Sequence, residues 1–126
     1  MDPHEERTVK AFIIRVKRPR YLLCLNDQSK RRKKLDKLNY CADLDPRFVE
    51  WLPKHADVVS MLREAGSPED VHVISFAQEI DGKTLPLDDA VHQTEMCGWG
   101  TILSFVPGRL AYFYDEYGHR HAILKR

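Results

Sequence analysis

Three apolar-rich runs close the chain: 101–106 (TILSFV), 109–114 (RLAYFY) and 119–125 (HRHAILK). Each is short, rich in β-branched and aromatic residues, and bounded by turn formers. Pro107-Gly108 separates the first two and suits a type II turn, where glycine takes positive φ. Asp115 to Gly118 separates the second and third. The pattern predicts a three-stranded antiparallel meander over 101–125.

Upstream the pattern changes character. Residues 56–65 (ADVVSMLREA) group Val58, Val59, Met61, Leu62 and Ala65 on one side at about 100° per residue. They predict a helix, with Gly66 where a left-handed C-terminal cap is wanted. Residues 71–76 (VHVISF) predict a buried strand. Asp81-Gly82 marks a turn in the loop that follows, and Asp88 or Asp89 can start a short helix to about Glu95. Asp45 can cap a helical turn that begins at Pro46.

At the N-terminal end, the β-branched run 9–16 and the apolar run 21–25 flank Lys17-Arg18-Pro19-Arg20. Proline breaks a strand and suits a turn, so the stretch predicts a β-hairpin. Residues 29–40 then favour helix, with Ser29 as its cap. The order of elements predicts an α+β fold, with a mainly antiparallel sheet and three to four short helices on one face. No repeat, low-complexity stretch or linker divides residues 1–126, so one domain is expected.

Composition agrees with a packed core: 43% of residues are hydrophobic and 31% charged, too apolar for disorder. No run approaches the roughly 20 apolar residues of a membrane span. The first ten residues have no apolar region, unlike a secretory signal. The three cysteines are odd in number and widely spaced, which suits a reducing, cytoplasmic setting.

Charge changes the picture most. The net charge is +1. Yet residues 1–40 hold 12 Lys/Arg against 5 Asp/Glu, and residues 41–126 hold 8 against 14. On a helix, Lys30, Lys33, Lys34 and Lys37 fall at i, i+3, i+4 and i+7 and share one face. Leu35 and Leu38 lie on another, with Arg31 beside them. The expected hairpin turn adds Lys17, Arg18 and Arg20. Together these seven side chains suit contact with nucleic-acid phosphate, which is non-specific and salt-sensitive. The competing expectation is a solvated face, neutralised by the acidic later half.

Other chemistry is thinly supported. His119 and His121 alternate along an expected strand and would face one way. A metal site needs more ligands, and His72, His92 and Cys97 share no recognisable spacing. Cys97 lies before Gly98-Trp99-Gly100 with no base placed beside it. Glu79, Asp81, Asp88 and Asp89 read as turn and cap residues, or as internal partners of the basic half. Tyr112 and Tyr114 point the same way and would stack bases if exposed. No motif is specific enough to carry functional residues across from a known family, and none implies a cofactor.

These observations make a non-enzymatic binding module the leading expectation. Its partner would be nucleic acid or another acidic macromolecule, with no membrane involved. The alternative is a protein-interaction module (antitoxin, inhibitor or assembly subunit) that uses its acidic C-terminal half or a sheet edge. A small hydrolase comes third.

Overall fold

Asp2 opens the first helix. Its side chain accepts from the His4 backbone N–H, and Pro3 sits in the first turn. The computed structural model describes all 126 residues. It shows α1 (Pro3–Phe12), α2 (Arg18–Leu25), α3 (Gln28–Leu35), β1 (Val49–Trp51), α4 (Val58–Glu64), β2 (Asp70–Ser75), β3 (Thr84–Pro86), α5 (Leu87–Cys97), β4 (Thr101–Val106), β5 (Leu110–Tyr114) and β6 (His121–Lys125). Four short 3-10 turns join them, at Arg15–Lys17, Asp36–Tyr40, Pro46–Phe48 and Glu116–Gly118.

The six strands form one antiparallel sheet, in the order β1-β6-β5-β4-β2-β3. The fold is α+β, and the meander is present as β4-β5-β6, with Thr101 opposite Tyr114 and Tyr112 opposite Ile123. Gly108 has φ +73°, and the Arg109 N–H bonds back to the Val106 carbonyl, as the Pro-Gly turn requires. Asp57 caps α4 by accepting from the Ser60 N–H, and Gly66 follows its C-terminus at φ +97°.

Two expectations are overturned. The N-terminal hairpin does not exist: residues 3–12 and 18–25 are helices. Glu5, Thr8, Val9 and Phe12 are buried at helical spacing. Pro19 stands in the first turn of α2, where its missing N–H costs no hydrogen bond. Helices also cover both faces of the sheet. Strands β2, β4, β5 and β6 are buried almost end to end, so residues pointing either way need apolar cover. On one face, Ile74, Ile102, Phe113 and Leu124 pack with Val9 and Phe12 of α1, Tyr21 and Leu25 of α2, and Leu35 of α3. On the other, Val73, Leu103, Phe105 and Tyr112 pack with Val58 and Leu62 of α4 and Leu87 and Val91 of α5.

The expected helix over 29–40 is shorter and is capped differently. Asp27, rather than Ser29, caps α3 by accepting from the Ser29 N–H at 2.9 Å. Beyond Leu35 the chain tightens into the 3-10 turn Asp36–Tyr40, which docks on the start of β4. There the Gly100 N–H donates to Asn39 Oδ1 at 2.6 Å. A Cβ on Gly100 would lie 2.3 Å from the Leu38 carbonyl carbon, so only glycine allows this approach. No helix is long and apolar enough to cross a membrane.

Candidate anion-binding cleft

Helices α2 and α3 lie side by side, joined by Asn26 and Asp27. Arg20 and Cys24 from α2 face Ser29, Lys30, Lys33, Lys34 and Lys37 from α3 and the turn after it. Together they line a cleft of about 360 Å³. Five of its seven lining side chains are cations. The helical spacing of the lysines, turned outward by the burial of Leu35 and Leu38, puts them there.

The lysines differ in how they are held. Lys30, Lys33 and Lys37 are exposed, whereas Lys34 is half-buried. The Lys34 Nζ sits 4.3 Å from the centre of the Tyr21 ring, and the Tyr21 hydroxyl donates to Asp43 Oδ2 at 2.7 Å. Lys30 approaches Asp27 only at 4.0 Å. Arg20, Lys33 and Lys37 form no ion pair within the chain.

Two residues expected to extend this surface are not in it. With no hairpin turn, Lys17 lies in the 3-10 turn before α2, and Arg18 opens that helix. The Arg18 Nε donates to the Ile13 carbonyl at 2.8 Å, so its head is committed to the backbone.

The other basic residues of the run point into the fold, and sequence reasoning missed what they meet. Arg31 makes two forked pairs. Its Nη1 and Nη2 donate to Glu5 at 2.6 and 3.0 Å, and its Nε and Nη2 to Asp81 at 2.7 and 2.9 Å. Nη1 also reaches the Leu25 carbonyl at 3.1 Å. The hydrogen bonds to Asp81 and Glu5 outweigh burial and raise the Arg31 pKa above its ordinary value. Arg32 lies across the Phe76 ring and donates to the Phe76 carbonyl. Asp81 is therefore an internal partner of the basic half, and it also accepts from the Ser75 N–H at 3.0 Å.

Glu5 also bonds His72 Nε2, at 2.8 Å. Burial alone would raise the Glu5 carboxyl, but hydrogen bonds from His72 and Arg31 prevail and hold it at about 2. His4 stacks on His72, and its Nδ1 lies 2.7 Å from Ser104 Oγ. Burial, with His72 beside it, lowers the His4 pKa. The serine, imidazoles and carboxylates resemble a catalytic relay in composition. Ser104 is wholly buried, however, so no substrate reaches its oxygen. The chain of polar groups instead fastens α1 and α3 to β2 and β4.

The remaining candidates separate in space. His121 is buried on β6, whereas His119 caps the preceding 3-10 turn and is exposed, so the two imidazoles do not form a pair. No group of three or more His, Cys, Asp or Glu is placed to hold a metal ion. Cys97 lies 3.6 Å from Glu79, and burial together with that carboxylate pushes its thiol up, against nucleophilic use. Asp88 pairs with Arg63 at 2.9 Å. Tyr112 and Tyr114 are buried, so neither ring face is open to a base. No family model, curated protein or solved structure matches the chain.

Proposed function

We propose that the chain is a non-enzymatic binding module whose α2–α3 cleft contacts the phosphates of a nucleic acid. One observation carries this reading: five cations converge on one cleft, and the carboxylates of the later half do not neutralise them. Of those carboxylates, only Asp81 meets the basic run, where it pairs with Arg31 and lies 3.8 Å from Arg32. Like charges at i, i+3 and i+4 repel, and a polyanion relieves that repulsion. Lysine suits this role as a point charge that tracks backbone phosphate without reading bases. Protein contact through a sheet edge has less support, because β1 and β3 are each three residues long and offer a short template for strand addition.

The test is a salt titration against random duplex and single-stranded probes, with a polyglutamate peptide as the non-nucleic polyanion. Wild type should bind unrelated sequences alike at about 50 mM salt, with affinity falling steeply as salt rises. Lys33→Glu with Lys37→Glu should weaken binding and flatten the slope by nearly one unit per lost phosphate contact. Absence of nucleic-acid binding, equal slopes for both proteins, or a preference for polyglutamate would each overturn the reading.

A further inference from the structure

A second cleft, of about 510 Å³, opens on the opposite face of the sheet over β5 and β6. Its volume falls in the range of small-molecule sites, about 300–1,000 Å³. Its floor is Tyr112, Tyr114 and His121, and its walls carry opposite charge. Lys54 and His55 follow β1, which lies beyond β6 at the sheet edge. Glu95 comes from α5, which packs over β2 and β3 on the other side of β5. The three charged or titratable wall residues are exposed, and none forms an ion pair within the chain.

The floor is fixed in its hydrogen bonding. His121 Nε2 lies 2.7 Å from the Pro53 carbonyl and must donate to it. Its Nδ1 is engaged by the Tyr112 hydroxyl at 2.8 Å. The imidazole has no nitrogen left for a ligand, and Tyr112, only 1% exposed, is a buried part of the floor. Tyr114 is only 8% exposed, yet its hydroxyl has no partner within the chain. Burial, with Glu95 nearby, pushes both phenols up and keeps them protonated. Since the ring faces are covered, the cleft offers no stacking platform; between its charged walls lie the Tyr114 hydroxyl and the apolar Ala56 and Val58.

The rim is built under constraint. Tyr117 holds a left-handed backbone at φ +57°, uncommon for a residue with a bulky side chain. Next to it, Gly118 presses on Tyr114 so closely that an added Cβ would lie 2.8 Å from that ring. This contact sets the Tyr114 tip at the edge of the cleft.

We propose that this cleft binds a small zwitterion whose amine and carboxylate stand at opposite ends of an apolar chain. The amine meets Glu95 and the Tyr114 hydroxyl, and the carboxylate meets Lys54 and His55. This site is independent of the cleft between α2 and α3. The probe is 6-aminohexanoate, compared with hexylamine, hexanoate and L-leucine, whose two charges share one carbon. Side-chain NMR shifts of His55 and Tyr114 are the readout. The expected result is saturable shifts with 6-aminohexanoate and affinities lower by about tenfold or more for the other three. Glu95→Gln should weaken 6-aminohexanoate and hexylamine but leave hexanoate unchanged, and Lys54→Met should weaken 6-aminohexanoate and hexanoate but leave hexylamine unchanged. No saturable shift at millimolar 6-aminohexanoate, equal binding of any comparison compound, or wild-type affinity in both variants would overturn the proposal.

Discussion

The two sides of α3 carry the same kind of residue and do opposite things. On the outer side, Lys30 and Lys33, with Lys37 from the turn that follows, stand in water beside an open cleft. On the inner side, Arg31 is clamped between Glu5 and Asp81, whose side chains are only 8% exposed. The difference lies in the partners and the solvent. A cation taken out of water needs several well-placed acceptors to offset its desolvation, and Arg31 has five hydrogen bonds to two carboxylates and a carbonyl. The guanidinium fork can serve two carboxylates at once, which an ammonium cannot match in geometry. Where no acceptor comes within reach, the charge stays outside and free for a partner.

The sharpest way to break this comparison is to remove the inner charge. Arg31→Met should cost about 3–5 kcal/mol, because it leaves two carboxylates buried without their cation. Urea unfolding measures this, and a loss under about 1 kcal/mol would make the inner and outer sides equivalent. Acid should attack the same junction next. The Glu5 pKa falls on folding from 4.5 to about 2. Its contribution to stability is therefore fully present above 4.5 and is lost as pH falls toward 2. The loss should be about 2–3 kcal/mol. Glu5→Gln should flatten that part of the stability-against-pH curve.

Lys34 belongs to neither side fully, which makes it the intermediate case. Lys34→Met should cost about 0.5–1 kcal/mol through its lost contact with the Tyr21 ring, read as a small fall in urea midpoint. Smallest of all for folding is Lys33→Glu with Lys37→Glu, which should stay within about 0.5 kcal/mol. The same double variant should have the largest effect on polyanion binding. If its unfolding curve moves as far as that of Arg31→Met, the outer lysines are structural.

The sequence was most legible where turns are punctuated. Pro107-Gly108 and Asp115 to Gly118 bracket β5, and Gly66 closes α4, so local chemistry sufficed in these places, whereas the Asp57 cap of α4 was not read. The first 25 residues misled because Val9, Ile13, Ile14 and Val16 favour strands. Their helical signal lay in Asp2-Pro3 and in the spacing of Glu5, Thr8, Val9 and Phe12. Pro19 suits a turn, but proline serves a helix start equally well. The grouping of four lysines was readable because it needs only helical geometry. The pairing of Arg31 was not, since Glu5 lies 26 residues before it and Asp81 lies 50 after. Helices on both faces had a signal too: TILSFV and LAYFY are apolar on both alternating sets of positions.

The seating of α1 sets an order of events for the nascent chain. His4 meets Ser104 and Ala11 meets Arg126, contacts that span 100 and 115 residues. When the basic N-terminal helices leave the ribosome, the strands that will cover Val9, Phe12 and Ile13 have not been made. Synthesis at about 5–20 residues per second leaves that apolar stripe uncovered for several seconds or more. Closing such long loops before any contact rewards them also slows folding itself. During that interval residues 1–40 carry both an uncovered apolar stripe and an excess of positive charge. The late arrival of β4 to β6 therefore leaves Val9, Phe12 and Ile13 without their final cover until most of the 126 residues have been made.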